Sequence, residues 1–265
     1  GFIGSHLVDA LIERGDEVLV IDNFSTGKKE NVNPRAKVVE NDIRSPNFHF
    51  IFQVFKNVDY IFHLAALPKV QYSFEFPEET NAVNIDGTLN VIELATLHKA
   101  RLVYSSSSSV YGNQETLPLK EDMPVNPLSP YALQKFTSER YCRILLGQNR
   151  LTSSVCLRYF NVYGPRQSDG GSYASAIGTF LKNKKLGTSS VIFGGKQTRD
   201  FTWVADVVRA NILAAESGKV GTGEVINIGG GKNYSVLQLS EMIGGVYIHK
   251  PQRAGEPMNT LADIS

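Results

Sequence analysis

Short runs apolar on both faces alternate with stretches of helical periodicity along this chain, and that alternation leaves few folds open. The apolar runs are EVLVI at 17–21, DYIFHL at 59–64, RLVY at 101–104, SVCLRYF at 154–160 and VINI at 225–228. Between them the spacing predicts helices over 4–13, 84–98, 130–146, 173–183, 206–216 and 236–243. In the first, Leu7 with Leu11 and Val8 with Ile12 stand at i,i+4 and make one face. Strands apolar on both faces need cover above and below. The pattern therefore predicts an α/β fold with a doubly wound parallel sheet. A chain of 265 residues is long enough for a full core. Gly and Ser thicken around 164–175 and 187–195, which marks a change of function there.

Charge and cysteine count narrow the function classes. Lys+Arg minus Asp+Glu is 27 − 26 = +1, which argues against bulk binding to nucleic acid or to an acidic membrane. A local cluster of arginines around a small phosphate ligand stays open. Two cysteines, Cys142 and Cys156, exclude a disulfide scaffold and a four-cysteine zinc site, and fit a reducing, cytoplasmic setting. No apolar run approaches the ~18 residues of a membrane helix. No His/Cys/Asp/Glu group has metal-ligand spacing, and no GxSxG elbow occurs. His63 and His98 read as structural.

Four motifs carry chemistry. GFIG at 1–4 opens a helix, and a strand ends in Asp22, about 20 positions on. Glycines let backbone approach a pyrophosphate at a helix N-terminus, and the acid takes ribose hydroxyls. Alone, the same residues also make a turn and a strand-end cap. SPYALQK at 129–135 places Ser129 as N-cap, Pro130 at the first helical position, and Tyr131 and Lys135 one turn apart. A nearby ammonium favours a phenolate, so Lys135 is expected to lower the Tyr131 pKa; the alternative is a surface Tyr/Lys pair. The serine run at 105–109 follows an apolar strand, where ligands bind in open α/β sheets; the alternative is a polar loop. Arg199 and Arg253 are phosphate-binding candidates, with solvated surface arginines as the other reading.

Taken together, these motifs resemble the extended short-chain dehydrogenase/reductases, most closely the UDP-hexose 4-epimerases. The resemblance spans the chain: GFIGSHLVDAL, VIDNFSTG, DIR at 42–44, HLAAL at 63–67, NIDGTLNV at 84–91, SSSSSVYG, PYALQK, LRYFNVYGPRQ at 157–167, QTRDFTWVADV at 197–207, and RAGEP with ADIS near the end. It implies a Rossmann-like NAD-binding domain of 1–165 plus about 204–228, and a smaller nucleotide-sugar-binding region of about 166–203 and 229–265. It implies that Gly1, Phe2, Ile3 and Gly4 meet the NAD pyrophosphate, and that Asp22 and Asn23 hold the adenosine ribose beside Ser25, Thr26 and Gly27. Asp42 and Ile43 then flank the adenine, and Leu64, Ala65, Ala66, Asn84 and Ser105 line the cofactor trough. Ser107 and Tyr131 contact the sugar C4 hydroxyl, and Lys135 the nicotinamide ribose. Asn161, Arg199 and Arg253 bind the diphosphate, and Glu256 the uridine ribose. An acid at position 22 favours NAD over its 2′-phosphorylated form.

The implied reaction is C4 epimerisation of a UDP-sugar through a transient 4-keto sugar. Related dehydratases carry Asp-Glu where this chain has Ser108-Ser109, and decarboxylating relatives carry Glu at the place of Ser109, so both are disfavoured. Epimerases of UDP-glucuronate and other nucleotide-sugar oxidoreductases stay open. Thr260 stands where a bulky Tyr closes the pocket of glucose-restricted epimerases, which implies room for an N-acetyl group; Thr260→Tyr is then expected to remove N-acetyl substrates selectively. A homodimer is implied through a bundle of the helices at 84–98 and 130–146. The strand ahead of Gly1 and the segment beyond Ser265 that the family carries are not in this sequence, which suggests a piece of a longer protein. That supports a second class of reading, a non-catalytic nucleotide-binding or regulatory protein.

Overall fold

A computed structural model describes residues 1–48, 50, 57–168, 175–253 and 255–265. Helix α1 (Phe2–Glu13) buries Ser5, Leu7 and Ile12. It ends at Gly15, whose φ of 93° lies in the left-handed region that glycine tolerates. The strands β1 (Leu19–Asp22) and β2 (Lys37–Glu40) pair in parallel. Strand β3 (Tyr60–His63) leads to the short helices α2 (Val70–Glu75) and α3 (Pro77–Asn81). The chain then passes through a π-type turn at Ala82–Asp86 into α4 (Gly87–His98). Strand β4 (Arg101–Ser107), helix α5 (Pro130–Gly147) and strand β5 (Ser153–Tyr159) follow.

Beyond them come β6 (Asn161–Tyr163), α6 (Ala176–Leu186), β7 (Ser190–Phe193), β8 (Thr198–Trp203) and α7 (Val204–Glu216). The chain continues through β9 (Thr222–Ile228), β10 (Asn233–Ser235), α8 (Val236–Ile243) and β11 (Tyr247–Lys250). The order β3-β4-β5-β9 forms an all-parallel sheet. Among the described residues β1-β2, β10-β8-β6 and β11-β7 form separate small sheets.

Side-chain alternation on the two central strands shows why the sheet is doubly wound. Leu102, Tyr104 and Cys156 face Ile92, Leu94 and Ala95 of α4 and Cys142 of α5. Val103, Val155 and Leu157 face the other way, onto Val207, Ala214 and Ala215 of α7. Both faces are apolar because both are covered, as the unbroken apolar runs predict.

The serine run is not a loop after a strand: its first three residues complete β4 and stay in register with β5, Ser105 opposite Leu157 and Ser107 opposite Tyr159. Buried partners make this tolerable, since the Ser105 hydroxyl meets Tyr159 Oη at 3.0 Å and the Ser106 hydroxyl donates to Glu139. Asn161–Tyr163 pairs with β8 rather than with the main sheet. The expected helix at 173–183 is observed as Ala176–Leu186, residues 173 and 174 lying outside the described residues.

One buried carboxylate ties β8 to the turn after β9 and to the segment at Ala262. Asp200 of β8 is fully buried and accepts backbone N–H bonds from Gly230 at 2.6 Å, Gly231 at 3.0 Å and Ala262 at 3.0 Å. A Cβ on Gly230 would stand 2.7 Å from the Phe201 carbonyl oxygen, so only glycine allows the approach.

Candidate functional site

The N-terminus of α5 forms as its sequence dictates. Ser129 Oγ accepts from Ala132 N–H at 3.2 Å, and Pro130 occupies the first turn, where its missing N–H costs nothing. The next residue, Tyr131, is buried and donates its backbone N–H to Ser73 Oγ at 3.1 Å. Its phenol lies against Ser107, at the C-terminal end of β4. Ser107 also caps the short turn Ser108–Tyr111, its Oγ accepting from Ser109 N–H at 3.2 Å. One turn along, buried Lys135 donates from Nζ to the Ser105 carbonyl at 2.8 Å and stands 4.9 Å from the Tyr104 ring centroid.

The electrostatics differ from the expected lowering of Tyr131 by Lys135. Burial pushes the Tyr131 phenol up to about 12, and the Ser107 hydroxyl opposes it only in part. Burial likewise pushes Lys135 down to about 8, against the opposing pull of Glu139. Lys135 Nζ is 6.0 Å from the Tyr131 ring centroid, and desolvation outweighs attraction across that separation. A phenol raised this far and an ammonium lowered this far, one turn apart at the open end of a parallel sheet, can exchange protons with a ligand there.

The residues expected to hold NAD lie at the start of α1, at the end of β1 and just after β3. At Gly1 and Gly4 an added Cβ would meet nothing within 4 Å, so the backbone at the start of α1 is free to approach a pyrophosphate. Phe2 stacks edge-on with His6, and Ile3 packs into the main core through its side chain. Asp22 ends β1, with Oδ1 accepting from Phe24 N–H at 2.8 Å. Gly27 lies beside it, an added Cβ falling 3.3 Å from Asp22 Oδ2. Exposed Asn23, Ser25 and Thr26 surround it.

Asn23 donates to Asp42 at 2.9 Å, and the Arg44 fork holds the Asp42 carboxyl well below the usual carboxylate range. Ile43 is buried under Gly87 of α4. Leu64 and Ala66 are half-buried and Ala65 is exposed, which leaves a small-residue floor after β3. An acid for a ribose, open glycine backbone and a low floor fit a dinucleotide. Asn84 does not line the trough by its side chain: it is buried, pairs both ways with the Leu67 backbone at 2.8 and 3.2 Å, and donates to Gln134 at 2.8 Å. Ser105 is also turned inward, to Tyr159.

A second concavity, of about 450 Å³, opens between α6 and the strands β6, β7 and β8. Asn161, Arg199, Arg253 and Glu256 all line it, although 95 positions separate the first from the last. Arg199 is largely buried, and burial pushes its guanidinium down while Glu256 opposes. It pairs with Glu256 at 3.3 Å and donates to the Thr198 carbonyl at 2.9 Å. Arg253 is exposed and lies 3.7 Å over the Phe193 ring centroid, a platform that holds the guanidinium flat. The loop joins the other site: a Cβ on Gly255 would stand 3.3 Å from the Leu128 carbonyl, just ahead of α5. Thr260 does not line this cleft. It is 3% exposed, donates its N–H to the Thr198 carbonyl at 3.1 Å and accepts from Asp200 N–H at 3.3 Å. A tyrosine there would have to displace packed protein before reaching a ligand.

His63 is structural, as expected. Its Nε2 donates to Thr88 Oγ1 at 2.9 Å, because the Thr88 hydroxyl is spent on the Asn84 carbonyl. Burial first, and then the Lys135 charge, push it down to about 3. Between pH 6.5 and 3 the unfolded chain takes a proton that the folded chain refuses, so this residue costs stability as pH falls through that window. His63→Asn should lack that component. The gap in urea midpoint between parent and variant should narrow from pH 6.5 toward pH 4. Sequence reasoning missed Glu139, which follows Tyr131 and Lys135 at the same four-residue interval; that repeat was the available signal. Among the described residues no His/Cys/Asp/Glu group could hold a metal, and no helix is long and apolar enough to cross a membrane.

Comparison with known proteins places this architecture. The model of the NAD dependent epimerase/dehydratase family matches residues 1–229. A UDP-glucose 4-epimerase of Mycolicibacterium smegmatis is 38% identical over 92% of this chain and 79% of its own length. A UDP-N-acetylglucosamine 4-epimerase of Methanobrevibacter ruminantium, solved with UDP-N-acetylmuramic acid, superposes with TM-score 0.91 at 39% identity, covering 100% of this chain and 87% of that one. A UDP-glucuronic acid 4-epimerase of Bacillus cereus, solved with UDP-glucuronic acid and NAD, superposes with TM-score 0.90 at 34% identity, covering 100% and 88%. UDP-glucuronic acid decarboxylases are among the similar proteins as well.

Proposed function

The chain belongs to the NAD dependent epimerase/dehydratase family, whose cofactor is NAD, and from that premise we propose that it is a UDP-hexose 4-epimerase. The observation that carries this reading is the meeting of Tyr131 and Ser107 at the end of β4, beside a cleft with two arginines. Gly1, Gly4, Asp22, Asn23, Gly27 and the floor at 64–66 would hold NAD, which when bound supplies the hydride acceptor and donor. Ser107 and Tyr131 would hold the sugar C4 hydroxyl. Tyr131 takes its proton as C4 is oxidised, and returns a proton after the 4-keto sugar has turned over. Lys135 supports the proton transfer by its charge. Arg199, Arg253 and Asn161 keep the UDP moiety anchored through the turn, with Glu256 on its ribose.

Ser108 and Ser109 offer hydroxyls rather than carboxylates, which favours epimerisation over decarboxylation or dehydration. The likeness to a UDP-glucuronic acid epimerase supports a second reading in which the sugar is a uronate. Incubation with UDP-galactose, UDP-N-acetylgalactosamine and UDP-galacturonate separates these: conversion of either of the first two supports the hexose reading, and conversion of the uronate alone replaces it. Arg253→Ala removes an exposed phosphate ligand without stranding a buried partner. It should raise KM for the UDP-sugar about tenfold with kcat little changed, the mark of uniform binding. The exposed Leu97 on α4 and Leu133 and Ile144 on α5 support a homodimer built on those helices. Two buried free thiols support a reducing, cytoplasmic setting.

A further inference from the structure

Helix α5 carries Tyr131, Lys135 and Glu139 at successive four-residue intervals, so all three share one face. Glu139 is 4% exposed, and its carboxylate is fully engaged. Arg158 of β5 donates to it from Nε at 2.9 Å and from Nη2 at 2.7 Å, a bidentate fork. Ser106 donates its hydroxyl to the same carboxylate. Ser106 sits between Ser105, whose carbonyl holds Lys135 Nζ, and Ser107, which faces Tyr131. Two neighbouring residues of β4 are thus pinned to two neighbouring turns of α5.

We propose that Glu139 is a positioning residue for the reaction: its buried carboxylate stands one turn from Lys135 and holds α5 in register with the serine strand, so that Tyr131 meets Ser107. The proposal rests on the epimerase reading only in using Tyr131 and Lys135 as the proton-handling pair.

The surroundings of Lys135 leave this role to Glu139. His63 faces it from β3, Tyr104 from β4, and Tyr131 from its own helix; none of these is an anion at neutral pH. Glu139 is the one carboxylate acting on Lys135 among the described residues. The groups around Glu139 are Arg158 and Cys156 of β5 and Ser106 of β4, with Tyr111 stacked on the Arg158 guanidinium at 4.6 Å. Without the carboxylate, burial acts on Lys135 unopposed, and the ammonium loses its proton at lower pH.

The test follows the Lys135 side chain by NMR of protein carrying 15N-lysine, in the absence of substrate, with the signal assigned by its loss in Lys135→Arg. Glu139→Gln should lower the Lys135 titration midpoint by about one pH unit, and the alkaline limb of kcat should move down with it. Ser106→Ala keeps the charge and should lower kcat without moving the midpoint. Because Glu139→Gln strands a buried guanidinium, Glu139→Gln/Arg158→Gln serves as the second variant, and kcat should fall in it as well because the clamp on β4 and β5 is gone. An unchanged midpoint in folded Glu139→Gln, or an unchanged kcat in the folded double variant, overturns the proposal, whatever happens to thermal stability. A parent protein with no epimerase activity counts against the functional reading instead, and leaves the midpoint comparison to decide on Glu139.

Discussion

Tyr131→Phe should lose about 10²- to 10⁴-fold in kcat, the range that a positioned acid–base group contributes. The substitution removes one oxygen and little else. The ring stays in its buried site, and the bond from the residue 131 backbone N–H to Ser73 is untouched. The UDP anchors lie in the cleft of Arg199 and Arg253, so KM should change little. In the parent, burial holds the phenol up to about 12, so it is mostly protonated at neutral pH. Parent kcat/KM should therefore climb with pH through the neutral range, and that climb should be absent from the residual activity of Tyr131→Phe. Epimerisation by the variant at the parental rate would remove Tyr131 from the mechanism.

Asp200→Ala should cost roughly 3–5 kcal/mol of folding stability, the scale seen when a buried charged partner is removed from groups that depend on it. Three backbone N–H groups, on Gly230, Gly231 and Ala262, point at this one carboxylate. Each would be left buried and unpaired at about 1–3 kcal/mol, with water recovering part of the loss. The effect should reach the cleft, because β8 carries Arg199 next to Asp200 and the Ala262 segment follows Glu256. Urea denaturation should show a lower midpoint at unchanged slope, and UDP-sugar affinity should fall. A loss below 1 kcal/mol would mean that the clasp is not what holds these segments.

The main sheet was legible because each of its strands holds a short apolar run, and a strand apolar on both faces needs cover on both sides. Pro130 after a capping serine placed the start of α5 to the residue, since capping and the proline act through local geometry. The small strands β6, β7, β8, β10 and β11 were not legible. They are three to six residues long and mix polar with apolar positions, as in Thr198–Trp203 with Arg199 and Asp200 at its centre. Their pairing is set by distant partners: β8 is flanked by β6 and β10, and β7 by β11.

Candidate site residues divided along the same line. Asp22, Tyr131 and Lys135 occupy positions that local structure dictates. Asn84 and Thr260 were nominated through resemblance, and their side chains are spent on internal bonds that only the tertiary structure displays. The pKa of Tyr131 was misread for a related reason. Spacing shows that an ammonium is near, whereas burial, which outweighs it, is a property of the assembled core.

The most direct test is to incubate the protein, with no NAD added, with UDP-galactose carrying deuterium at C4, in ordinary water. UDP-glucose is then isolated and its label read by mass spectrometry and NMR. Oxidation and return at one carbon within a closed site predicts UDP-glucose that keeps the deuterium at C4. Formation of UDP-glucose with the label lost to water, or no UDP-glucose even after NAD is supplied, would contradict the assignment.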